Sequence, residues 1–300
     1  MTPLVKLSLH LVMALGCATI VMSQRASAVT VVNDGFELAT HPSGFRSIAI
    51  APGVPFIQPD TGTGTASLAT DDNMGNPVGN KALSVISTST GAPHVLTANL
   101  GGTISLANVN DTMTLSFKIR LTNTPTAVGS GFRFGLYGTN GTVGLSEGSG
   151  LVHSNDDIGY YATVGTNNSA PVANNVLWAE SGGMATILAN NDRTAINSAA
   201  GASLNDTLVH TLSLTVTRAT STTMSVSFSF DGGPAISGTT TTLYTSFDEI
   251  AISNGFQTTP TTYNIDDVRL EASNFTLVPE PTVAGLAGLG LLTLLKRRRA

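Results

Sequence analysis

The chain has 300 residues, only 11% of them charged, and a formal net charge of −5. Between residues 29 and 278, eight Lys/Arg face eighteen Asp/Glu, a net charge of −10. That balance leaves no phosphate-binding surface and argues against nucleic acid as a partner. Cys17 is the only cysteine, so zinc sites built on Cys, iron–sulfur clusters and Cys nucleophiles are excluded from the region after it.

The N-terminus reads as an export signal over 1–28. Lys6 supplies the n-region charge, 7–22 is mostly apolar, and Ala26-Ser27-Ala28 is an A-x-A cleavage site. Leu15-Gly16-Cys17 offers the alternative of a lipoprotein signal acylated on Cys17, although the apolar run continues past it.

Residues 29–271 read as one all-β domain, rich in Thr, Ser, Gly and Asn and without long helical patterns. Strands are expected at 29–32, 82–86, 112–121, 131–137 and 159–164. Further strands are expected at 211–218, 224–230, 249–252 and 265–270. Residues 112–121 put Met113, Leu115, Phe117, Ile119 and Leu121 on one face, so that face is buried and the other wet. Residues 211–218 and 224–230 form the clearest hairpin, followed by a turn at Asp231-Gly232-Gly233. Loops are expected at 52–80 and 138–157, and irregular strands at 176–179 and 185–188. Short strands punctuated by Gly/Asn/Asp turns predict an antiparallel β-sandwich. Residues 272–281 read as a linker and sorting motif, and 282–300 as a short hydrophobic helix with a basic tip. The uncharged stretch 282–295 is shorter than the roughly 20 residues of a comfortable membrane span.

That C-terminus resembles the PEP-CTERM sorting signal of exported bacterial proteins. The matching residues are Val278-Pro279-Glu280-Pro281, the apolar run, and Lys296-Arg297-Arg298-Arg299. The resemblance implies an exosortase-type membrane protease as partner, transient insertion of the tail, and release to the cell surface or an extracellular matrix of exopolysaccharide producers. A plain membrane anchor is the alternative. Residues 31–37 (VVNDGFE) and 263–270 (YNIDDVRL) resemble the first and last strands of jelly-roll carbohydrate-binding domains. Residues 75–83 resemble their early strand entry, and 246–252 resemble a segment of laminin-G or concanavalin-like sandwiches. The implied fold is an antiparallel jelly roll, and the residues do not separate the galactose-binding-like from the concanavalin-like kind.

The resemblance also implies a structural calcium where the two end strands meet, with Glu37 and Asp267 as ligands and Asp34 and Asp266 next to them. Calcium takes six to eight oxygens; the alternative is that the aspartates cap a strand and face water. Asp71 to Asn76 is a second oxygen-rich loop without the Glu that closes a helix–loop–helix site. For sugar stacking, Trp178 is the candidate platform, flanked by Asn174, Asn175 and Glu180, with Tyr160-Tyr161 beside Asp156-Asp157 as a second option. The alternative for Trp178 is a place in the core.

No catalytic residue is expected. Ser146 lies in a G-x-S-x-G match, but within a Gly/Ser-rich loop rather than a strand–turn–helix. The histidines lack ligand spacing. Asp248-Glu249 and Asp266-Asp267 are adjacent pairs, whose members point to opposite faces of a regular strand and cannot share one substrate. The expectation is a non-catalytic glycan-binding or matrix module. The alternatives are a purely structural adhesion protein or a divergent polysaccharide lyase or hydrolase.

Overall fold

A computed structural model describes residues 28–36, 56–57, 64–70, 74, 81–87, 95–123, 131–139, 156–166, 174–182, 187–188, 192–201, 203–233, 236–254 and 261–273. Within these, fifteen strands run in chain order. They are β1 (Val29–Asp34), β2 (Phe56–Ile57), β3 (Gly64–Thr70), β4 (Lys81–Ser87) and β5 (Val95–Ser105). Next come β6 (Thr112–Leu121), β7 (Phe132–Gly138), β8 (Ile158–Val164), β9 (Asn174–Glu180) and β10 (Arg193–Ala200). The last five are β11 (Val209–Arg218), β12 (Met224–Phe230), β13 (Ile236–Thr240), β14 (Ser246–Ser253) and β15 (Thr261–Ala272).

Every pairing is antiparallel, and the strands form two facing sheets. One sheet runs β13-β12-β11-β6-β15-β4-β3, with β1 also on β15. The other runs β10-β9-β8-β7-β14-β5-β2. The architecture is an all-β sandwich.

Alternation explains the core. The inward residues of β6, β11 and β12 (Met113 to Leu121, Leu212 to Val216, Met224 to Phe228) are all buried against the second sheet. Aromatic rings bridge the layers. Phe117 meets Phe134 edge-on at 4.9 Å, Phe134 meets Phe228 at 5.9 Å, and Phe132 meets Tyr263 at 5.3 Å. Edge-to-face aromatic pairs at these separations add to the stabilisation from burial alone.

The first and last strands pair, with Asp34 opposite Val268. β15 is shared along one side: β4 pairs with 261–265, β1 takes over from 268 to 272, and a bulge at 266–269 marks the exchange.

The structure differs from the sequence reading in places. β3 lies inside the expected loop 52–80. β5, β10 and β13 are additional strands, and Ile187–Leu188 is a turn rather than a strand. β5 hides because Gly101 and Gly102 interrupt its alternation, where Asn99 accepts the Gly101 N–H on its side chain. β10 hides because it is a largely exposed edge strand in which Ile196 is the one large apolar side chain.

Candidate functional site

The register of the seven-stranded sheet sets the chemistry of its outer face. Side chains alternate along each strand, so residues directly opposite one another across strands share a face. Three rows cross that face. The first is Asn99, Glu249, Tyr137, Gly159, Glu180 and Arg193. The second is Thr97, Ala251, Gly135, Tyr161, Trp178 and Ala195. The third is Val95, Ser253, Arg133, Thr163, Val176 and Ser198.

Glycine makes these rows workable. A Cβ on Gly159 would lie 2.7 Å from Tyr137 Cδ1, and one on Gly135 would lie 2.7 Å from Tyr137 Cε2. With both absent, the Tyr137 ring lies flat over β8, and its hydroxyl donates to Glu180 Oε2 on β9 at 2.5 Å. The same Oε2 accepts the Leu188 N–H at 3.0 Å, and Arg133 Nη1 donates to the Leu188 carbonyl. Ile187 and Leu188 are thereby pinned over the sheet, packed on Val95, Tyr137, Tyr161 and Ala251. Leu188 has φ +60°, a left-handed conformation unusual for a Leu.

Trp178 sits beside this strap, half-buried. Its ring is near-parallel to Tyr161 at 6.2 Å and carries the Arg193 guanidinium 3.8 Å from its centroid. Trp178 Nε1 donates to Thr163 Oγ1 at 3.0 Å, and Arg193 Nη1 donates to the Tyr161 hydroxyl at 2.9 Å. Arg193 therefore spans an aromatic face and a hydroxyl at once, which its planar fork permits.

Burial tunes the titratable groups here. It lowers the Arg133 guanidinium from its ordinary value and raises the Tyr137 phenol well above its own, the Glu180 carboxylate adding to the latter. Burial likewise pushes Tyr161 up to about 12 despite the Arg193 bond. At one end of the face, Asp157 is raised to about 8, first by burial and then by the charge of Glu249. Glu249 is raised to about 7 by burial, against a hydrogen bond from Thr97 that pulls it down. Asp157 Oδ1 has no hydrogen-bond partner among the described residues.

The sequence candidates fall as follows. Trp178 and Tyr161 share the outer face with the charged rows, but Tyr161 is fully buried in the cluster with Ile187 and Leu188, so of the two only the half-buried Trp178 has surface for a sugar. Tyr160, the neighbour in sequence, points the other way. It is buried between the sheets, donating to the Thr242 carbonyl and accepting the Tyr244 N–H, and has no surface with which to stack on a sugar.

Asp34, Asp266 and Asp267 converge on Gly35, whose Cβ would lie 3.6 Å from Asp267 Oδ1 and 3.7 Å from Asp266 Oδ1. Adjacent aspartates share this side because β15 bulges here and Asp267 takes φ +50°. The opposite-face expectation for this pair is thus corrected, since it assumes a regular strand. Asp248 likewise lies in a bulge, that of β14, where parity does not set its face, and it accepts from the Thr139 N–H and hydroxyl. Asp34 accepts the Phe36 N–H, Asp266 the Asp267 N–H, and Asp267 pairs with Lys118 at 2.7 Å. Among the described residues, no three His, Cys, Asp or Glu are arranged to hold a metal. Glu37, the loop 71–76 apart from Met74, Ser146, the signal residues Ala26 and Ala28, and the tail residues 278–281 and 296–299 lie outside the described residues. No helix among the described residues is long and apolar enough to cross a membrane.

Arg133, Tyr137 and Arg193 are not singled out by sequence reasoning, and Asp157 and Glu249 enter it only as neighbours of other candidates. Only the register brings them together.

No family model matches the chain, and no curated protein matches it in sequence. Solved structures of similar shape include a carbohydrate esterase, vb_24B_21, from the Shiga toxin-encoding bacteriophage phi24B. It is 14% identical, over 83% of this chain and 100% of that one, at a TM-score of 0.48. An endo-β-1,4-glucuronan lyase from the fungus Trichoderma reesei is 11% identical over 81% and 95%, at 0.45. The potassium-bound carbohydrate recognition domain of Emp46p is 13% identical over 70% and 87%, at 0.43. No residue role in this chain follows from likenesses of this degree.

Proposed function

We propose that this protein is an exported sandwich that binds glycan on the outer face of its seven-stranded sheet without cleaving it. The observation that carries the reading is the asymmetry between the two outer faces. The eight-stranded sheet turns Thr114, Thr215, Ser227 and Ser237 outward in one row and Thr112, Thr217, Ser225 and Thr239 in the next, with no aromatic ring. The seven-stranded sheet instead presents Trp178 with Arg193, held over a buried layer of Tyr161, Tyr137, Arg133 and Glu180. Aromatic surface beside fixed donors and acceptors is the chemistry that sugar rings require. Trp178 and Arg193 form the accessible layer of this face. A glycan array probed with wild type and with Trp178→Ala tests the reading. Binding that falls at least tenfold in the variant supports it, and an empty array for the folded wild type refutes it.

The export half of the proposal rests on the A-x-A site and on the Pro279-Glu280-Pro281, apolar and Lys/Arg order of the tail. An exosortase-type protease is the partner implied, and a surface or exopolysaccharide matrix the destination. Intact mass of the protein from its native producer tests this: loss of 296–300 supports sorting, and retention makes the tail an anchor.

A second reading, glycan cleavage, is favoured by one specific observation. Asp157 and Glu249 are two carboxyl groups poised near neutrality on the same face, as acid–base chemistry uses. Release of reducing ends, or of unsaturated product absorbing in the ultraviolet, from array-positive glycans distinguishes cleavage from binding.

A further inference from the structure

The core-facing side of the sandwich is not filled everywhere. On β9 the inward positions run Ala179, Leu177, Asn175, so a buried amide replaces the expected apolar residue. On β10 a bulge between Ala195 and Asn197 puts Ile196 against the core and leaves Asn197 exposed at the cleft, opposite Leu177, while Ala199 stands opposite Asn175. Polar and small residues thus occupy positions that Leu and Phe fill elsewhere. The space they leave is a solvent-open cleft of about 560 Å³ between the sheets, floored by Phe228, Phe230 and Ile236.

The cleft is built rather than frayed. Asn175 is 2% exposed, and its Oδ1 accepts the Gly165 N–H at 3.1 Å. A Cβ on Gly201 would lie 2.8 Å from Asn175 Nδ2, so glycine there leaves room for the amide. Asn197 Nδ2 donates to the Ser237 carbonyl at 2.6 Å, tying β10 to β13 beside the cleft.

We propose that this cleft is a glycan subsite, distinct from the Trp178 face, that takes an uncharged sugar. The proposal rests on the glycan-binding reading above and adds a place and a ligand class to it. The size lies within the roughly 300–1,000 Å³ of small-molecule sites. Phenyl rings offer an apolar surface for a pyranose, and the exposed Asn197 amide, whose Oδ1 accepts the Ser198 N–H, keeps a second N–H and a second lone pair for its hydroxyls. No described lining residue carries a charge. A carboxylate- or sulfate-bearing sugar would find no counter-ion there, and the acidic excess of the domain repels it further.

The test titrates maltose, cellobiose and lactose into the full chain by calorimetry, alongside Ala199→Phe, which fills the cleft, and Ser116→Ala on the outer face of the other sheet. At least one disaccharide binds wild type, Ala199→Phe raises its Kd at least tenfold, and Ser116→Ala leaves it within twofold. If Ala199→Phe fails to fold, wild-type NMR decides: the Asn175 and Asn197 side-chain amides shift on adding the disaccharide. Unshifted amides, or a Kd unchanged in Ala199→Phe, overturns the subsite while leaving the outer-face reading intact. Wild type that binds array glycans but none of the three disaccharides also overturns the subsite alone. Wild type that binds neither overturns both.

Discussion

The Tyr137 hydroxyl crosses an entire strand to reach Glu180, and Gly159 is the residue that lets it pass. A methyl group at 159 would stand 2.2 Å from the Leu136 carbonyl oxygen as well as against the tyrosine ring. Since one neighbour is backbone, rotamer changes alone do not relieve the clash. Gly159→Ala is therefore expected to destabilise the fold by about 3 kcal/mol, read as a lower urea midpoint at unchanged slope.

Glu180 accepts from both Tyr137 and Leu188. Glu180→Ala strips the acceptor from two buried donors, and each such orphan costs about 1–3 kcal/mol. Hydrogen exchange at the Leu188 amide should accelerate more than at amides of β6, because the strap loses its anchor while the opposite sheet does not.

Asp157 binds its proton far more tightly folded than unfolded, about 8 against 3.8. A raised carboxyl contributes stability that is complete below the unfolded value and is lost as pH rises through the folded one. Glu249, raised to about 7 from 4.5, acts in the same direction. Thermal unfolding should show the domain more stable at pH 5 than at pH 8.5. Asp157→Asn, which cannot ionise, should flatten that slope. A domain that gains stability over this range would contradict the burial argument.

His210 closes the opposite corner of the eight-stranded sheet. Its Nδ1 meets Asp231 at 2.7 Å and its Nε2 meets Asp206 at 2.9 Å, with the Phe230 ring tilted against it at 4.6 Å. Burial pulls the imidazolium down, but the bonds to both aspartates outweigh it and hold it above 6.5. Its contribution is therefore full below the unfolded value of 6.5 and fades as pH rises through the folded one. His210→Gln should remove only this part of the pH profile, and the Leu208 and Thr211 amides, bound to the same aspartates, should report it by NMR.

Much of the scaffold is legible in the sequence because alternation writes it directly. The hairpin of β11 and β12 pairs Leu212 with Phe230 and Arg218 with Met224, as its period-two pattern implies. The site is less legible, for two reasons. The outer rows draw on six strands far apart in the chain, so Arg133, Glu180 and Glu249 become neighbours only through register. Bulges also defeat local counting: Asp266-Asp267 and Asp248-Glu249 each fall on one, and the face a residue takes beyond a bulge is not set by parity. Tyr160 and Tyr161 show the converse. Their strand is regular there, so alternation alone separates the core tyrosine from the face tyrosine.

The most direct test of the glycan reading uses Trp178 as its own reporter, since it is the only tryptophan in the chain. A glycan identified on the array is titrated into wild-type protein while intrinsic emission is followed. A saturable shift in emission is expected, with a midpoint matching the Kd measured for the same array glycan. An array glycan that binds wild type and Ala199→Phe equally tightly, yet leaves the Trp178 emission unchanged, would place the binding surface on neither the outer face nor the cleft and contradict the account.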